Sequence, residues 1–337
     1  MIRQSFRFTS ARIAGITALF ALSFTGFQAA AQQQVPAAPA AQDPSAPAAP
    51  TAPIEFPKAD PTNFTATSPT KEVVTAFLQA MWGYDEARRW QVQAIVKTPV
   101  EGISRVVVIV GDKAGKQKPS AIGFFVLPDA KHIIAGDDIL PFGEHPYQDY
   151  RVRLQEKADG PYRGSASKDL ELVEFADFQC PHCKDAQANM DKLAVDFPKA
   201  RIVYQNYPLV RIHPAATTAA EYAVCVTKQG GSAAYLQYAA AVYDGQDGLS
   251  TPDGITLTLN SAATKAGQDP AKIAACAVTP ETKATVDNSV KLAEDLNINQ
   301  TPVLMVNGRM VPLGSVPYET LKQIVEYQAK LDGVAGQ

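Results

Sequence analysis

Cysteine is scarce in this chain. Four residues in 337 are far too few for a disulfide-stapled miniprotein, whose bridges stand in for a core. Each of the four therefore needs its own explanation. A basic surplus is missing as well, with 31 lysines and arginines against 34 acidic residues and a net charge of −3. Without excess positive charge to neutralise phosphates, general nucleic-acid binding is disfavoured. The apolar run Ile13 to Phe27 covers fifteen residues, short of the roughly 20 that span a bilayer comfortably. What is present is ordinary globular material. The chain is 46% hydrophobic and 19% charged, which excludes wholesale disorder. At about 100–200 residues per domain, the length predicts two domains with additions.

Residues 1–31 read as an export signal: Arg3, Arg7 and Arg12 without an acid, the apolar run, then Ala29-Ala30-Ala31. An uncleaved anchor is the alternative, and no cysteine near the cleavage site supports a lipoprotein. Removing the three arginines leaves 28 basic against 34 acidic residues, a net charge of −6. A tether is expected over 32–68, because residues 32–53 hold 8 Ala and 6 Pro and sample extended polyproline II.

Folding signals begin with Ser68 as a helix cap, Pro69 in the first position and Glu72 in the first turn. Val73, Val74, Phe77, Leu78 and Met81 then follow at helical spacing. Strand-like runs come next at Ile103–Val110, Ala121–Val126 and Lys131–Ala135, with turns at Gly111–Gly115 and Pro128-Asp129. The expectation is a small α+β domain over 69–145, one helix on an antiparallel sheet, which gains from a partner or from the next domain because so short a stretch has little core of its own. His132 and His145 stand alone and read as surface or structural residues.

After a connector at 146–162, the second region (163–335) orders its elements as β-α-β, several helices, then β-β-α. The strands are Leu170–Phe178, Ile202–Tyr207, Val303–Val306 and Met310–Pro312, the last two joined by the hairpin signal Asn307-Gly308. Helices are expected at Pro181–Phe197, Ala215–Lys228, Ala233–Tyr243, within 253–267, at Pro280–Leu296 and at the C-terminus through Tyr318, Leu321, Ile324, Val325 and Leu331. The fold class is mixed α/β with a long helical insertion.

Cys180-Pro181-His182-Cys183 lies between a strand and a helix. A helix start carries unpaired N–H groups and about half a positive charge, which stabilises a thiolate at Cys180. Pro181 suits the first turn, and His182 adds a donor and, when protonated, a charge. All three lower the pKa of Cys180 and make a Cys180–Cys183 disulfide more oxidising. Cys183, one turn further in, is the natural resolving thiol. Zinc needs about four ligands and one CxxC supplies two, so no metal is expected. A purely structural CxxC bridge and two inert thiols are the other readings. The reactive disulfide needs no separate cofactor.

Glu174 interrupts an apolar run in a strand expected to be covered on both faces. Buried there, it would hold a raised pKa and relay a proton to Cys183; partly exposed, it would be an ordinary strand residue. Thr301-Pro302 opens a strand, and composition alone predicts a trans bond, since about 5–6% of X-Pro bonds in folded proteins are cis. Cys225 and Cys276 fall in separate helical segments, and leftover cysteines of an exported chain are expected to pair. His213, before Pro214, reads as a helix-start or packing residue.

The segment Val173-Glu174-Phe175-Ala176-Asp177-Phe178-Gln179-Cys180-Pro181-His182-Cys183, with His213-Pro214 and Thr301-Pro302-Val303, resembles the active-site set of DsbA-like thioredoxin-fold proteins. The resemblance implies a thioredoxin fold with a helical insertion, preceded here by the small α+β domain. It implies Cys180 as attacking and Cys183 as resolving cysteine, and Glu174 as the buried acid. Thr301 and a cis Pro302 would form the loop facing the cysteines, overturning the trans expectation, and a second disulfide, Cys225–Cys276, occurs in some relatives. The extra domain at 69–145 resembles, in length and position, the dimerisation domains of DsbC- and DsbG-like isomerases. The expected function is an exported, periplasmic thiol:disulfide oxidoreductase acting on client proteins with free or mispaired cysteines and re-oxidised by a membrane partner. A dimeric isomerase or reductase, and a non-catalytic client-binding holdase, are the alternatives.

Overall fold

A computed structural model of the chain describes residues 55–115 and 118–334. The expected export signal and the tether as far as residue 54 lie outside the described residues. The remainder of that expected tether, 55–68, is not a free spacer. Phe64 bridges to Ile95, and the Ala66 N–H donates to the Ile95 carbonyl at 3.0 Å. The Arg89 guanidinium stacks on Phe56 at 4.1 Å. Two aromatics and the open edge of the first strand account for this early start of order.

Helix α1 (Lys71–Trp82) is capped by Thr70, whose Oγ1 accepts from the Val73 N–H at 3.4 Å. This corrects the expected Ser68 cap: Pro69 is buried after a cis bond, and Thr70 takes the extended cap conformation. Val74, Phe77 and Leu78 face an antiparallel sheet of order β1-β2-β3-β4-β5. Its strands are β1 (Arg88–Lys97), β2 (Ser104–Asp112), β3 (Ser120–Val126), β4 (His132–Ala135) and β5 (Asp138–Pro141). Phe77 packs edge-on against Phe124 and beside Phe142, with ring centroids 5.9 and 4.9 Å away. Sequence alternation hid β1 because a register shift between Val92 and Ala94 breaks its period of two.

The connector at 146–162 contains a helix, α2 (Gln148–Lys157), so polar that only Leu154 is buried. Beyond it lies the second sheet, of order β10-β9-β7-β8-β6. Its strands are β6 (Tyr162–Gly164), β7 (Glu171–Ala176), β8 (Arg201–Asn206), β9 (Val303–Val306) and β10 (Arg309–Pro312). Strands β7 and β8 run parallel through α3 (Pro181–Asp196), while β9 is antiparallel to β7. Alternation along β7 sends Leu172 into the cluster with Met190, Leu193 and the C-terminal α8 (Tyr318–Leu331), and Val173 and Phe175 into the opposite cluster with Leu292 and Leu296.

Between β8 and β9 sit α4 (Ala216–Asp244), α5 (Pro252–Lys265), α6 (Pro270–Ala277) and α7 (Pro280–Asp295). The two helices expected over 215–243 are both present within α4, separated at Gly231, whose φ of 69° leaves the helical region. The short α6 was not expected; Asp269 starts it by accepting from the Ala271 N–H at 2.9 Å. Both sheets belong to one compact unit. Arg309 of β10 joins them: its guanidinium donates to the Ala80 carbonyl at 3.0 Å and to that of Met81, at the end of α1.

Candidate active site

Strand β7 ends at Ala176, and the turn Asp177–Gln179 leads into α3 with Cys180 as its N-cap and Pro181 in the first position. Cys180 takes the extended conformation (φ −76°, ψ 121°) that a cap requires. Its carbonyl accepts the N–H groups of Cys183 and Lys184 at 3.1 and 3.3 Å. Both cysteines are free and buried; Cys180 retains 5% exposure and Cys183 has none. The spacing of one helical turn thus puts Cys183 deeper than Cys180.

The two sulfurs have opposite electrostatics. The Cys183 side chain, Thr301 and the backbone N–H groups of Cys183 and His182 lower the Cys180 pKa from 9.0 to about 5, against the opposing effect of burial. Burial, then the Cys180 sulfur, push the Cys183 thiol far up. The His182 side chain is exposed in a groove of about 340 Å³ with Asp185, Asn189 and Leu313–Pro317, and its backbone N–H is one of the donors that lower the Cys180 pKa.

The Thr301-Pro302 bond is cis, as the resemblance implied and composition did not. The Thr301 carbonyl lies 3.7 Å from Cys180 Sγ, so this loop forms the wall opposite α3. Glu174 has no exposure, and its Oε1 accepts from Gln187 at 3.1 Å. Gln187 also donates to the Cys183 carbonyl at 3.0 Å, tying the acid to Cys183. Burial, partly offset by Gln187, raises the Glu174 pKa from 4.5 to about 7.

Cys225 of α4 and Cys276 of α6 are bridged, away from the CxxC and inside the insertion. Among the described residues no cluster of three or more His, Cys, Asp or Glu could hold a metal ion.

Three contributors were missed. Asp177 is 1% exposed and accepts from the Gln179 and Leu209 N–H groups at 2.7 and 2.8 Å. His213, read as a helix-start or packing residue, lies with Nδ1 2.8 Å from Asp177 Oδ2. Gln246, in the turn after α4, donates to the carbonyls of Phe178 and Cys180 at 2.8 and 3.0 Å. Only Asp177 carried a signal, as a second acid in an apolar run.

Among curated proteins, the chain is similar to the Na⁺/H⁺ antiporter NhaA 3 of Salinispora tropica, 40% identical over 68 residues, 20% of this chain and 10% of that protein. It is also similar to the Na⁺/H⁺ antiporter NhaA 1 of Mycolicibacterium vanbaalenii, 31% identical over 149 residues, 43% of this chain and 23% of that protein. The chain therefore spans less than a quarter of the length of these curated relatives. Among solved structures, a thioredoxin-like oxidoreductase from Silicibacter pomeroyi aligns with a TM-score of 0.45 and 29% identity, over 52% of this chain and 95% of that one. The sequence model of the family described as Thioredoxin matches residues 156–327, more than half of the chain and the whole of the site, and the chain belongs to that family.

Proposed function

We propose that this thioredoxin-family thiol:disulfide oxidoreductase acts outside the cytoplasm as a disulfide donor to client proteins, through a mixed disulfide at Cys180. The observation that carries the reading is the opposed acidity of two sulfurs one helical turn apart. A client thiolate attacks Cys180 Sγ, the sulfur with residual access. The Cys180–Cys183 bond breaks, and its electron pair stays on Cys183, whose raised pKa makes it take a proton. Glu174, near neutrality at about 7, is suited to supply that proton. A second client thiolate then attacks the client sulfur and expels Cys180. At pH 7 a group with a pKa of about 5 is roughly 99% ionised, so Cys180 leaves as a stable thiolate. The client gains one disulfide and the enzyme ends as the dithiol, which requires an electron acceptor; a membrane redox partner fits that need.

Export rests on residues 1–31; no helix among the described residues is long and apolar enough to cross a membrane. Antiport is not carried over, because the curated matches cover a minor part of those transporters. A dimeric isomerase or reductase is the second reading, favoured by strand β5, which among the described residues pairs only with β4 and exposes Ile139 (59%) and Leu140 (36%).

Trapping the resting thiols with an alkylating reagent in the producing cell separates the two. An oxidised or mixed Cys180–Cys183 pair supports the donor, and a fully reduced pair supports the isomerase. Cys180→Ser should abolish oxidation of a reduced client; undiminished activity would refute both.

A further inference from the structure

Asp177 is buried at the centre of the site, yet no step above uses it. Both its backbone groups are committed to the cysteines. Its carbonyl accepts from the Cys180 N–H at 3.1 Å, and its own N–H donates to Cys183 Sγ at 3.4 Å. Its carboxylate collects donors from two directions: Gln179 on its own turn, and Leu209 and His213 on the loop after β8. The peptide that carries the N–H onto Cys183 is therefore clamped at both ends.

That N–H faces an acceptor whose charge changes during the reaction. A neutral thiol or disulfide sulfur accepts weakly, whereas a thiolate accepts strongly. A fixed donor at this place is worth most as negative charge develops on Cys183, which lowers the barrier and not merely the ground state.

We propose that the Asp177–His213 pair is a positioning device for the resolving cysteine, holding the Asp177 N–H where Cys183 receives the electron pair of the breaking Cys180–Cys183 bond. The inference rests on the disulfide-donor reading. In the step concerned, a client thiolate forms a bond to Cys180 Sγ, the Cys180–Cys183 bond breaks, and the negative charge passes from the client sulfur to Cys183. The electron count is closed within the three sulfurs.

The test uses the oxidised enzyme with reduced glutathione as the attacking thiol, with quenched samples weighed for the Cys180–glutathione mixed disulfide. Asp177→Ala and His213→Ala are each expected to slow this attack about tenfold, the scale of one hydrogen bond to a charged group. His213→Asn, whose side-chain amide can replace the Nδ1 donor, should recover most of the rate. Alkylation of Cys180 in the reduced variants should keep the wild-type pH profile, which a general loosening of the turn would shift. Unchanged attack rates in Asp177→Ala and His213→Ala overturn the proposal, as does an equal loss in Cys180 alkylation. If Asp177→Ala does not fold, His213→Ala against His213→Asn decides the same point. Failure of the underlying reading looks different: the Cys180–Cys183 pair would then be found fully reduced in the producing cell, whatever the rates of glutathione attack on the variants.

Discussion

Reduction of the Cys180–Cys183 pair should change how stability depends on pH, by an amount the site geometry sets. The Cys180 pKa falls from 9.0 to about 5 in the folded reduced protein. A depressed folded value contributes stability that is fully present above the unfolded value and is lost as pH falls through the folded one. At pH 7 the gain is about 2.7 kcal/mol, and at pH 5 it has shrunk to about 0.4 kcal/mol. Glu174 acts in the opposite sense. Its pKa rises from 4.5 to about 7, so its contribution is present below the lower value and is lost as pH rises, amounting to about 3 kcal/mol in full. In the reduced protein the two nearly cancel between pH 5 and 7. In the oxidised protein only Glu174 titrates, because a bridged Cys180 has no proton to lose. The stability of the reduced form relative to the oxidised form should therefore rise by about 2 kcal/mol from pH 5 to pH 7. Urea unfolding of both forms at pH 5, 6 and 7, the reduced one held in excess dithiol, measures the difference directly. Other carboxylates cancel between the two forms. A difference that stays constant within about 0.5 kcal/mol, or that moves the other way, refutes the assignment of a stabilised thiolate to Cys180.

Two further outcomes follow from features outside the CxxC. Cys225 and Cys276 close a separation of 51 residues, for which chain-entropy reasoning gives about 4 kcal/mol; the Cys225→Ala/Cys276→Ala protein should lose stability on that scale in urea unfolding, and a loss under about 1 kcal/mol would contradict it. Arg309→Met removes the donors to the Ala80 and Met81 carbonyls and should cost about 2–4 kcal/mol. Amide exchange should rise selectively in the last turn of α1, and uniform exchange across both sheets would count against this role.

The legible parts of the chain were those where chemistry and local geometry coincide in sequence. Cys180 to Cys183 is such a place: Pro181 and the one-turn spacing specify a helix start, which brings the Cys183 side chain and two backbone N–H groups to the first sulfur, while Thr301 adds to them from across the fold. Asn307-Gly308 is another, since both residues have positive φ (45° and 88°). Any Cβ on Gly308 would come within 2.3 Å of the Tyr147 carbonyl oxygen. Glu174 could be suspected but not decided, because its burial depends on α3 covering one face of β7. Contacts made across the fold left no local trace. Gln246 lies 66 residues from the Cys180 carbonyl that it holds, and His213 lies 36 residues from Asp177. Strand β1 was missed for a different reason, its bulge, and α2 because a nearly all-polar helix has no apolar period to read.

The chain holds two cysteine pairs, and its surroundings keep their chemistry apart. Exchange requires an attacking thiolate to reach a sulfur and a departing sulfur to bear negative charge. Cys180 retains a small exposure of 5%, and its donors lower its pKa. Cys225 is fully buried, and its sulfur lies 3.4 Å from the hydroxyl of Thr282, which is buried as well. Cys276, at the other end of that bridge, is partly exposed, so the packing between α4, α6 and α7 shields one sulfur of the pair. The helical insertion that this bridge ties together also supplies Gln246 to the carbonyls of Phe178 and Cys180. The second disulfide therefore serves the Cys180–Cys183 segment through the backbone that presents it.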